Sequence, residues 1–280
     1  MVSIIIPAHN EATGISKTLA CFLRDKTLTN ADVFVVCNGC TDDTVVNAKE
    51  FAHQRIEELT KRNISLNVIE IEKASKIAAL NKGLSYVETC PVILLDADIL
   101  ITGHDLIALA SHLLENDLFA ASPKVKFDWK HSNFLAQCYY RISSSSTYNK
   151  AHRLSNVIAL SESGIKRISQ LPEVIADDEY IRRQFNHKEY QICQDISFVF
   201  TCPRNIANVI NVLTRVERGN MQLSALGYVD GTGAKLSGPT KSPFYAFIVF
   251  AACKLIAKYR AKRQLRSGQV AQWERDESNR

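Results

Sequence analysis

The chain has 280 residues, 46% of them apolar and 22% charged, with a formal net charge of +5. That balance excludes a disordered or fibrous chain and fits one large α/β domain or two smaller lobes sharing a sheet. The charge is uneven: eight basic residues and no acid lie between Asp230 and Glu274, against 24 basic and 26 acidic ones in residues 1 to 230. A general nucleic-acid surface is thereby excluded, and a local cationic patch near an anionic partner is expected, with membrane lipid the leading candidate.

Val2 to Ile6 opens the chain as an apolar strand, with neither the charged start nor the length of a signal peptide, so a cytosolic location is expected. The eight cysteines then read as buried thiols, and their spacings form no zinc site. A helical pattern follows over Glu11 to Leu23. Ala31 to Cys37 is a second strand, with a turn at Asn38-Gly39-Cys40 and one helix over Asp43 to Thr60. Ser65 to Ile71, Ser75 to Val87 and Val92 to Leu95 continue as strand, helix, strand. The alternation predicts a mainly parallel, doubly wound sheet in the first hundred residues.

The second half is more mixed. Phe119 to Phe127 reads as a strand, His131 to Lys150 as a polar helix, Val157 to Leu160 as a short strand. After Leu171-Pro172 come Asp177-Asp178-Glu179 and a helix through Phe185, then a strand over Glu189 to Phe200. Pro203 to Leu223 reads as an amphipathic helix opened by proline. Gly227 to Pro243, rich in glycine and proline, reads as loop or lid.

The apolar run Pro91 to Leu95 ends on Asp96-Ala97-Asp98. Two carboxylates at the carboxyl end of a buried strand, where such sheets hold ligands, suit a hard divalent cation that keeps positions for phosphate oxygens. A purely structural role for the same pair is capping the next helix and solvating a turn. Polar residues also follow the first two strands, at His9-Asn10-Glu11 and at Asn38 with Thr41-Asp42. A crevice at a topological switch point would bring the three groups together.

Pro7 to Glu11, the segment VVCNGCTDDT, Lys76 to Gly83 and Asp96-Ala97-Asp98 stand in the order and spacing of family 2 glycosyltransferases, which the chain resembles. LPEVIADDEY, Arg215-Val216-Glu217-Arg218-Gly219-Asn220 and the ending Trp273 to Ser278 extend the resemblance over nearly the whole chain. It implies a GT-A fold, a nucleotide-sugar donor, Mg²⁺ or Mn²⁺, and inversion at the anomeric carbon. By the same resemblance residues 1–230 form the transferase domain, with a donor-binding half (1–98) and an acceptor-binding half (99–230), and 231–280 form a lid loop and a basic helix.

Roles follow residue by residue. Asp98 matches the direct metal ligand and Asp96 a neighbour of the ribose or a support for the metal. Glu11 matches the residue that grips the ribose hydroxyls, and Pro7 and Asn10 share its donor-binding motif. Lys76 matches a lysine near the donor. Asp178, with Asp177 before it, matches the general base that takes the acceptor proton. Three acids opening a helix also satisfy capping and dipole preferences with no catalysis. Arg215 and Arg218, three apart on one helical face, are suited to a diphosphate; a solvated helix face is the plainer account.

Two departures matter. Gly219 stands where polysaccharide synthases of the family carry tryptophan, which favours adding one sugar over processive polymerisation. Asn38 stands where many members read uracil with aspartate. An asparagine can accept from a ring N–H and donate to a carbonyl, so a UDP-sugar is favoured and GDP stays open. The expected acceptor is a hydroxyl of a polysaccharide, a lipid-linked sugar or a small molecule.

Rival readings are few. Cys37 and Cys40 form a CxxC between strand and helix, as in thioredoxin-like enzymes, but Asp42 and Asp43 are expected to raise a thiol that redox chemistry needs lowered. A sugar nucleotidyltransferase needs a glycine-rich, arginine-bearing loop after the first strand, and Ala8 to Glu11 is not one. A non-catalytic nucleotide-sugar-binding protein is the third alternative. Finally, Phe244 to Cys253 is wholly apolar, too short to span a bilayer, and runs into Lys254, Lys258 and Lys262 at one-turn spacing. This tail, residues 244–266, is expected either to lie on the cytoplasmic membrane surface or to pack on the domain with its lysines in water.

Overall fold

The computed structural model describes residues 1–230 and 242–267. Most of the expected loop over Gly227 to Pro243, and the ending Trp273 to Ser278, lie outside the described residues.

The elements in order are β1 (Val2–Ala8), α1 (Ile15–Leu23), β2 (Ala31–Asn38), α2 (Thr44–Gln54), α3 (Ile56–Lys61), β3 (Ile64–Ile71), α4 (Lys76–Leu84), β4 (Val92–Leu95) and α5 (Gly103–Glu115). Then come β5 (Ala120–Asp128), α6 (Phe134–Ser143), a single π turn (Tyr148–His152), β6 (Val157–Leu160), α7 (Glu162–Ile168), α8 (Asp177–Arg183), β7 (Tyr190–Thr201), α9 (Ile206–Ala225) and α10 (Phe244–Arg266). One seven-stranded sheet runs β3-β2-β1-β4-β6-β5-β7. Strands β1 to β4 pair in parallel, and β6 is antiparallel to both β4 and β5. Every residue of β1 and β4 is buried, as continuous apolar runs demand when helices cover both faces.

Register creates the opening at the switch point. β1 pairs with β2 through Pro7 and Ala8, but its pairing with β4 stops at Ile5 and Leu94. Pro7 has no N–H to donate, so the edge facing β4 ends there while the β2 side continues. The chain beyond β4 thus turns away at Asp96, beside the loop that follows β1.

By contact density the chain forms two units. The first is 1–124, 154–173 and 184–198, and the second 125–153, 174–183 and 199–280. The first holds the parallel strands and their helices around Ile4, Ile5, Ile6, Val33, Val35 and Ile93. In the second, α6, α9 and α10 pack around Ala136, Tyr139, Tyr140, Val209, Leu213, Cys253 and Ala257.

Several expected elements change. The helix over Asp43 to Thr60 is two, because Arg55 leaves helical geometry, its N–H turning to Ala52 O (3.3 Å) and its guanidinium covering the Phe51 ring. The helix after β1 begins at Ile15, since Glu11 O accepts from both Gly14 N and Ile15 N (each 2.9 Å) and holds residues 11 to 14 in a turn. The polar helix His131 to Lys150 is instead α6, apolar on its inner face, and it stops in the serine run. There Ser145 Oγ donates to Ile142 O (2.7 Å), the local bonding that competes with helix. Asn205, not Pro203, caps α9, its side chain accepting from Asn208 N (2.9 Å). Helices α5 and α7 were not anticipated; Thr102 and Ser161 cap them.

Candidate active site

In the first unit the loop after β1 is strapped to the loop after β2. Asn10 takes a left-handed φ of 54°, tolerated by asparagine, and its Oδ1 accepts from Thr41 N (2.8 Å). Glu11 N donates to Thr44 Oγ1 (2.7 Å), Asn47 Nδ2 to Ala12 O (2.8 Å) and Ala12 N to Asp42 Oδ2 (3.2 Å). His9 Nδ1 meets Asn38 O at 2.6 Å. These bonds fix the backbone that carries Glu11. Its carboxylate lies toward the loop after β4: a Cβ placed on Gly14 would sit 3.3 Å from Glu11 Oε2 and 3.9 Å from Ala97 O.

The loop after β4 is held as firmly. Thr18 Oγ1 donates to Ala97 O (2.7 Å), and Asp96 N donates to Asn156 O (2.8 Å). The Asp96 carboxylate has a partner on each oxygen: Lys76 Nζ at 2.8 Å from Oδ1, and Asn156 Nδ2 donating to Oδ2 at 2.9 Å. Lys76 opens α4 behind its cap Ser75, whose Oγ accepts from Ala78 N (3.1 Å). Asp98 differs. It keeps an opening to solvent, yet protein crowds its carboxyl. Burial first, then the charges of Asp96 and Glu11, push it up to about 6 against the weaker opposing pull of Lys76.

What this set can hold follows from its chemistry. Among the described residues no three His, Cys, Asp or Glu side chains form a cluster able to hold a metal ion. Asp96 already has two protein partners, so Asp98 remains as one direct carboxylate, with negative charge behind it. One or two carboxylates completed by water and substrate phosphate is how Mg²⁺ is commonly held, so the residues fit a cation that arrives with a diphosphate.

Asn38 takes a role the sequence did not suggest. It is fully buried, and with its amide oriented to its neighbours it donates to Ala8 O (2.9 Å) and accepts from Ser75 N (3.1 Å). The side chain therefore ties the end of β1 to the start of α4. Gly39, at φ 55°, lets the next segment come close, since a Cβ there would stand 2.6 Å from Ala74 Cβ. The expected effect of Asp42 and Asp43 on the CxxC pair is also corrected. Asp42 accepts from Thr44 N and Ala12 N, and neither it nor Asp43 is among the main causes acting on the thiols. Cys37 is raised by its hydrogen bond with Cys40 and by burial, while the same bond and the Asn10 N–H hold Cys40 below its ordinary value.

In the second unit the segment before α8 lies against α9. Ile175 N donates to Gln222 Oε1 (2.9 Å), and a Cβ on Gly219 would meet Ala176 Cβ at 2.7 Å. A tryptophan has no room at Gly219. Asp177 and Asp178, next in the chain, are both half-buried. The third acid is distinct: buried Glu179 accepts from Arg182 Nε (2.9 Å), Arg183 Nε (2.8 Å) and Tyr148 Oη (2.7 Å). Burial would raise its carboxyl, but the two arginines outweigh burial and hold it below the usual range. Arg215 is half-buried, whereas Arg218 is buried and donates to Gln264 Oε1 of α10 at 3.2 Å, so no solvated face joins the two.

Of the sequence-predicted residues, the first unit carries Pro7, Asn10, Glu11, Asn38, Lys76, Asp96 and Asp98 at the ends of β1 and β2, at the start of α4 and on the loops after β1 and β4. The second carries Asp177, Asp178, Arg215 and Arg218. Sequence reasoning missed Asn156, Gln222 and the structural duty of Gly219. Only the left-handed φ of Asn156 (63°), a conformation asparagine favours, leaves a faint trace in its residue type.

No curated protein matches the chain. Among solved structures, the mannosyltransferase PcManGT from Pyrobaculum calidifontis, in complex with GDP-Man and Mn²⁺, superposes with a TM-score of 0.63 at 19% identity, covering 96% of this chain and 76% of that one. Glucosyl-3-phosphoglycerate synthase from Mycobacterium tuberculosis, in complex with Mg²⁺ and UDP, gives 0.53 at 16% identity over 82% and 81% of the two chains. S. aureus TarS 1-349 with UDP-GlcNAc gives 0.51 at 15% identity over 98% and 93%. At these identities the likeness shows the fold, which is GT-A. The model of glycosyl transferase family 2 matches residues 3–168, which include every first-unit candidate named above. The chain is therefore a glycosyltransferase enzyme and belongs to glycosyl transferase family 2.

Proposed function

We propose that the protein transfers a single sugar, with inversion, from a nucleoside-diphosphate sugar to a hydroxyl of a polysaccharide, lipid-linked or small-molecule acceptor. UDP, favoured by the residue type at Asn38, and GDP both stay open, because the Asn38 amide is already bonded to Ala8 O and Ser75 N. The observation that carries this reading is the group at the carboxyl ends of β1 and β4. There the charges of Asp96 and Glu11 bear on Asp98, and Lys76, paired with Asp96, offsets them only in part. Asp98 would hold Mg²⁺ or Mn²⁺, with Asp96 behind it. Bound there, the cation supplies Lewis-acid stabilisation of the departing diphosphate. The GDP-Man and Mn²⁺ of one structural relative, and the UDP and Mg²⁺ of another, support that pairing of ligand and metal.

Around it, Glu11 grips the ribose hydroxyls, on a loop that Pro7 and Asn10 shape. Asn38 and Lys76 order the donor side from behind, through Ser75 N and Asp96. The acceptor oxygen bonds to the anomeric carbon as the bond to the diphosphate oxygen breaks. Its proton passes to Asp178, beside Asp177, and Arg215 meets the diphosphate charge, whereas Arg218, expected to share that role, is buried and held on α10 by Gln264. Contact of residues 244–266 with the cytoplasmic face of a membrane is part of this reading.

The test is hydrolysis of a panel of UDP- and GDP-sugars with Mg²⁺ or Mn²⁺, with Asp98→Ala as the control. Metal-dependent release of nucleotide by the wild type alone is expected. No turnover and no metal-dependent nucleotide binding by the wild type would remove the reading.

A further inference from the structure

Helix α10 is apolar on its outer face as well as its inner one. Toward α6 and α9 it presents small residues, Ala246, Cys253, Ala257 and Ala261, all buried. Phe247, Val249 and Phe250 are half-buried against that core, but a second set of large apolar side chains faces away: Phe244 is 79% exposed, Ile248 55%, Leu255 69% and Tyr259 68%. A helix whose outer face meets only water carries polar residues there. The patch extends onto α6, where the exposed Phe134 ring lies 5.6 Å from that of Tyr245. Small inner residues let α10 sit close on its neighbours, and they leave the outer set for something else to cover.

Charge decides what covers it. The helix carries Lys254, Lys258, Arg260, Lys262, Arg263 and Arg266 and no acid. The expected row of lysines does not form, because Lys254 reaches back to Glu217 on α9 (3.1 Å). Lys258, Lys262, Arg263 and Arg266 are exposed, mostly in the last two turns, beyond the apolar stretch. A second copy docked face to face would set this uniformly basic helix against itself. An anionic surface with an apolar interior satisfies both halves.

We infer that the outer face of α10, with Phe134 of α6, is the seat for an anionic lipid bilayer. The helix lies in the interface plane, its aromatic and aliphatic residues at the acyl boundary and its distal cations on lipid phosphates. At 1.5 Å per residue its 23 residues extend about 34 Å. No helix of the described residues is long and apolar enough to cross the membrane, so it lies along the surface. The inference deepens the membrane contact proposed above and does not depend on glycosyl transfer.

The test uses the full chain and sedimentation with vesicles of phosphatidylcholine alone or mixed with phosphatidylglycerol. Pelleting is expected with the mixed vesicles and weakens as salt rises. Leu255→Glu with Tyr259→Glu should lower the affinity at least ~10-fold, from the loss of two buried side chains. Lys262→Gln with Arg266→Gln should lower it for anionic vesicles by about 30-fold at low salt, what two surface cations contribute. All four positions are exposed, so the melting temperatures should match that of the wild type. Equal pelleting of the wild type and the Leu255/Tyr259 double variant overturns the inference. So does equal pelleting with the two vesicle types, or a wild-type dimer in sedimentation equilibrium that the double variant turns into monomer. Donor hydrolysis, read alongside, separates this from the transfer reading: wild type that pellets but never releases nucleotide sinks only the latter.

Discussion

The two units treat carboxylates in opposite ways. In the first, Asp98 is crowded by protein and by the charges of Asp96 and Glu11, and its carboxyl is pushed up to about 6. In the second, Glu179 is more deeply enclosed, yet two arginines and a tyrosine hold it below the usual range. A buried acid that the protein itself neutralises is part of the scaffold. An acid left in uncompensated charge lowers the stability of the empty fold, and a cationic ligand is what removes that cost. The contrast marks Glu179 as architecture and supports the binding role proposed for Asp98, although both stand in short acidic motifs in the sequence.

The sharpest way to break this contrast is Asp98→Asn. Loss of the direct carboxylate should reduce metal-dependent turnover by on the order of 10²- to 10³-fold, the scale of removing one stabiliser of transition-state charge. The melting temperature of the empty protein should not fall, because a repulsion has been removed. A variant that loses activity by unfolding would put Asp98 in the scaffold after all.

Glu179→Gln should do the reverse. It strips Arg182, whose side chain is only 2% exposed, of its main counter-charge. Breaking a buried pair in this way costs about 3 kcal/mol or more. The pH dependence fixes the cause. Because the folded glutamate lies below its unfolded value, the advantage of the wild type is full above about pH 4.3 and is lost as pH falls through the folded value. Urea unfolding of both proteins from neutral to acid pH should show their difference shrinking only at the acid end. A difference that stays constant down to the lowest pH would mean packing, not charge.

How much of this was legible in the sequence follows the range of the interactions. The parallel strands were readable because an apolar run such as Val92 to Leu95 needs no partner to declare itself buried on both faces. The ending of that run on Asp96 and Asp98 pointed to the loop proposed above to bind the donor. What Asp96 touches was not readable: Asn156 is 60 residues away and carries no pattern. Asn38 shows the same limit from the other side. Its residue type suits a base edge, and only the fold reveals that Ala8 O and Ser75 N already occupy its amide. In the second unit Gly219 read as a missing tryptophan, whereas the close approach of Ala176 is what excludes any side chain there.

That approach gives a smaller test on the second unit. Gly219→Ala forces a Cβ to within 2.7 Å of Ala176 Cβ. Overpacking of this kind costs about 1–3 kcal/mol, offset by up to about 1 kcal/mol from the better helix former. The segment that must yield leads directly into Asp177 and Asp178. Turnover should therefore fall several-fold while the KM for donor stays unchanged, and a matching rise in donor KM would move the effect to the first unit.

The smallest expected effect lies in the first unit, at Asn156. Alanine there loses the bond to Asp96 Oδ2 and also a residue that tolerates φ of 63°, each worth about 1 kcal/mol. Asn156→Gly keeps the backbone free and removes only the side-chain bonds to Asp96 Oδ2 and from Ser155 Oγ, so comparing the two separates strain from contact. With Lys76 still on Oδ1, Asp96 should stay in place and donor affinity should fall only a few-fold in the glycine variant. If the glycine variant loses as much metal-dependent turnover as Asp98→Asn, the fixed carboxylate Asp96 is the primary ligand. The distinction between an acid with partners and an acid awaiting one then fails within the first unit itself.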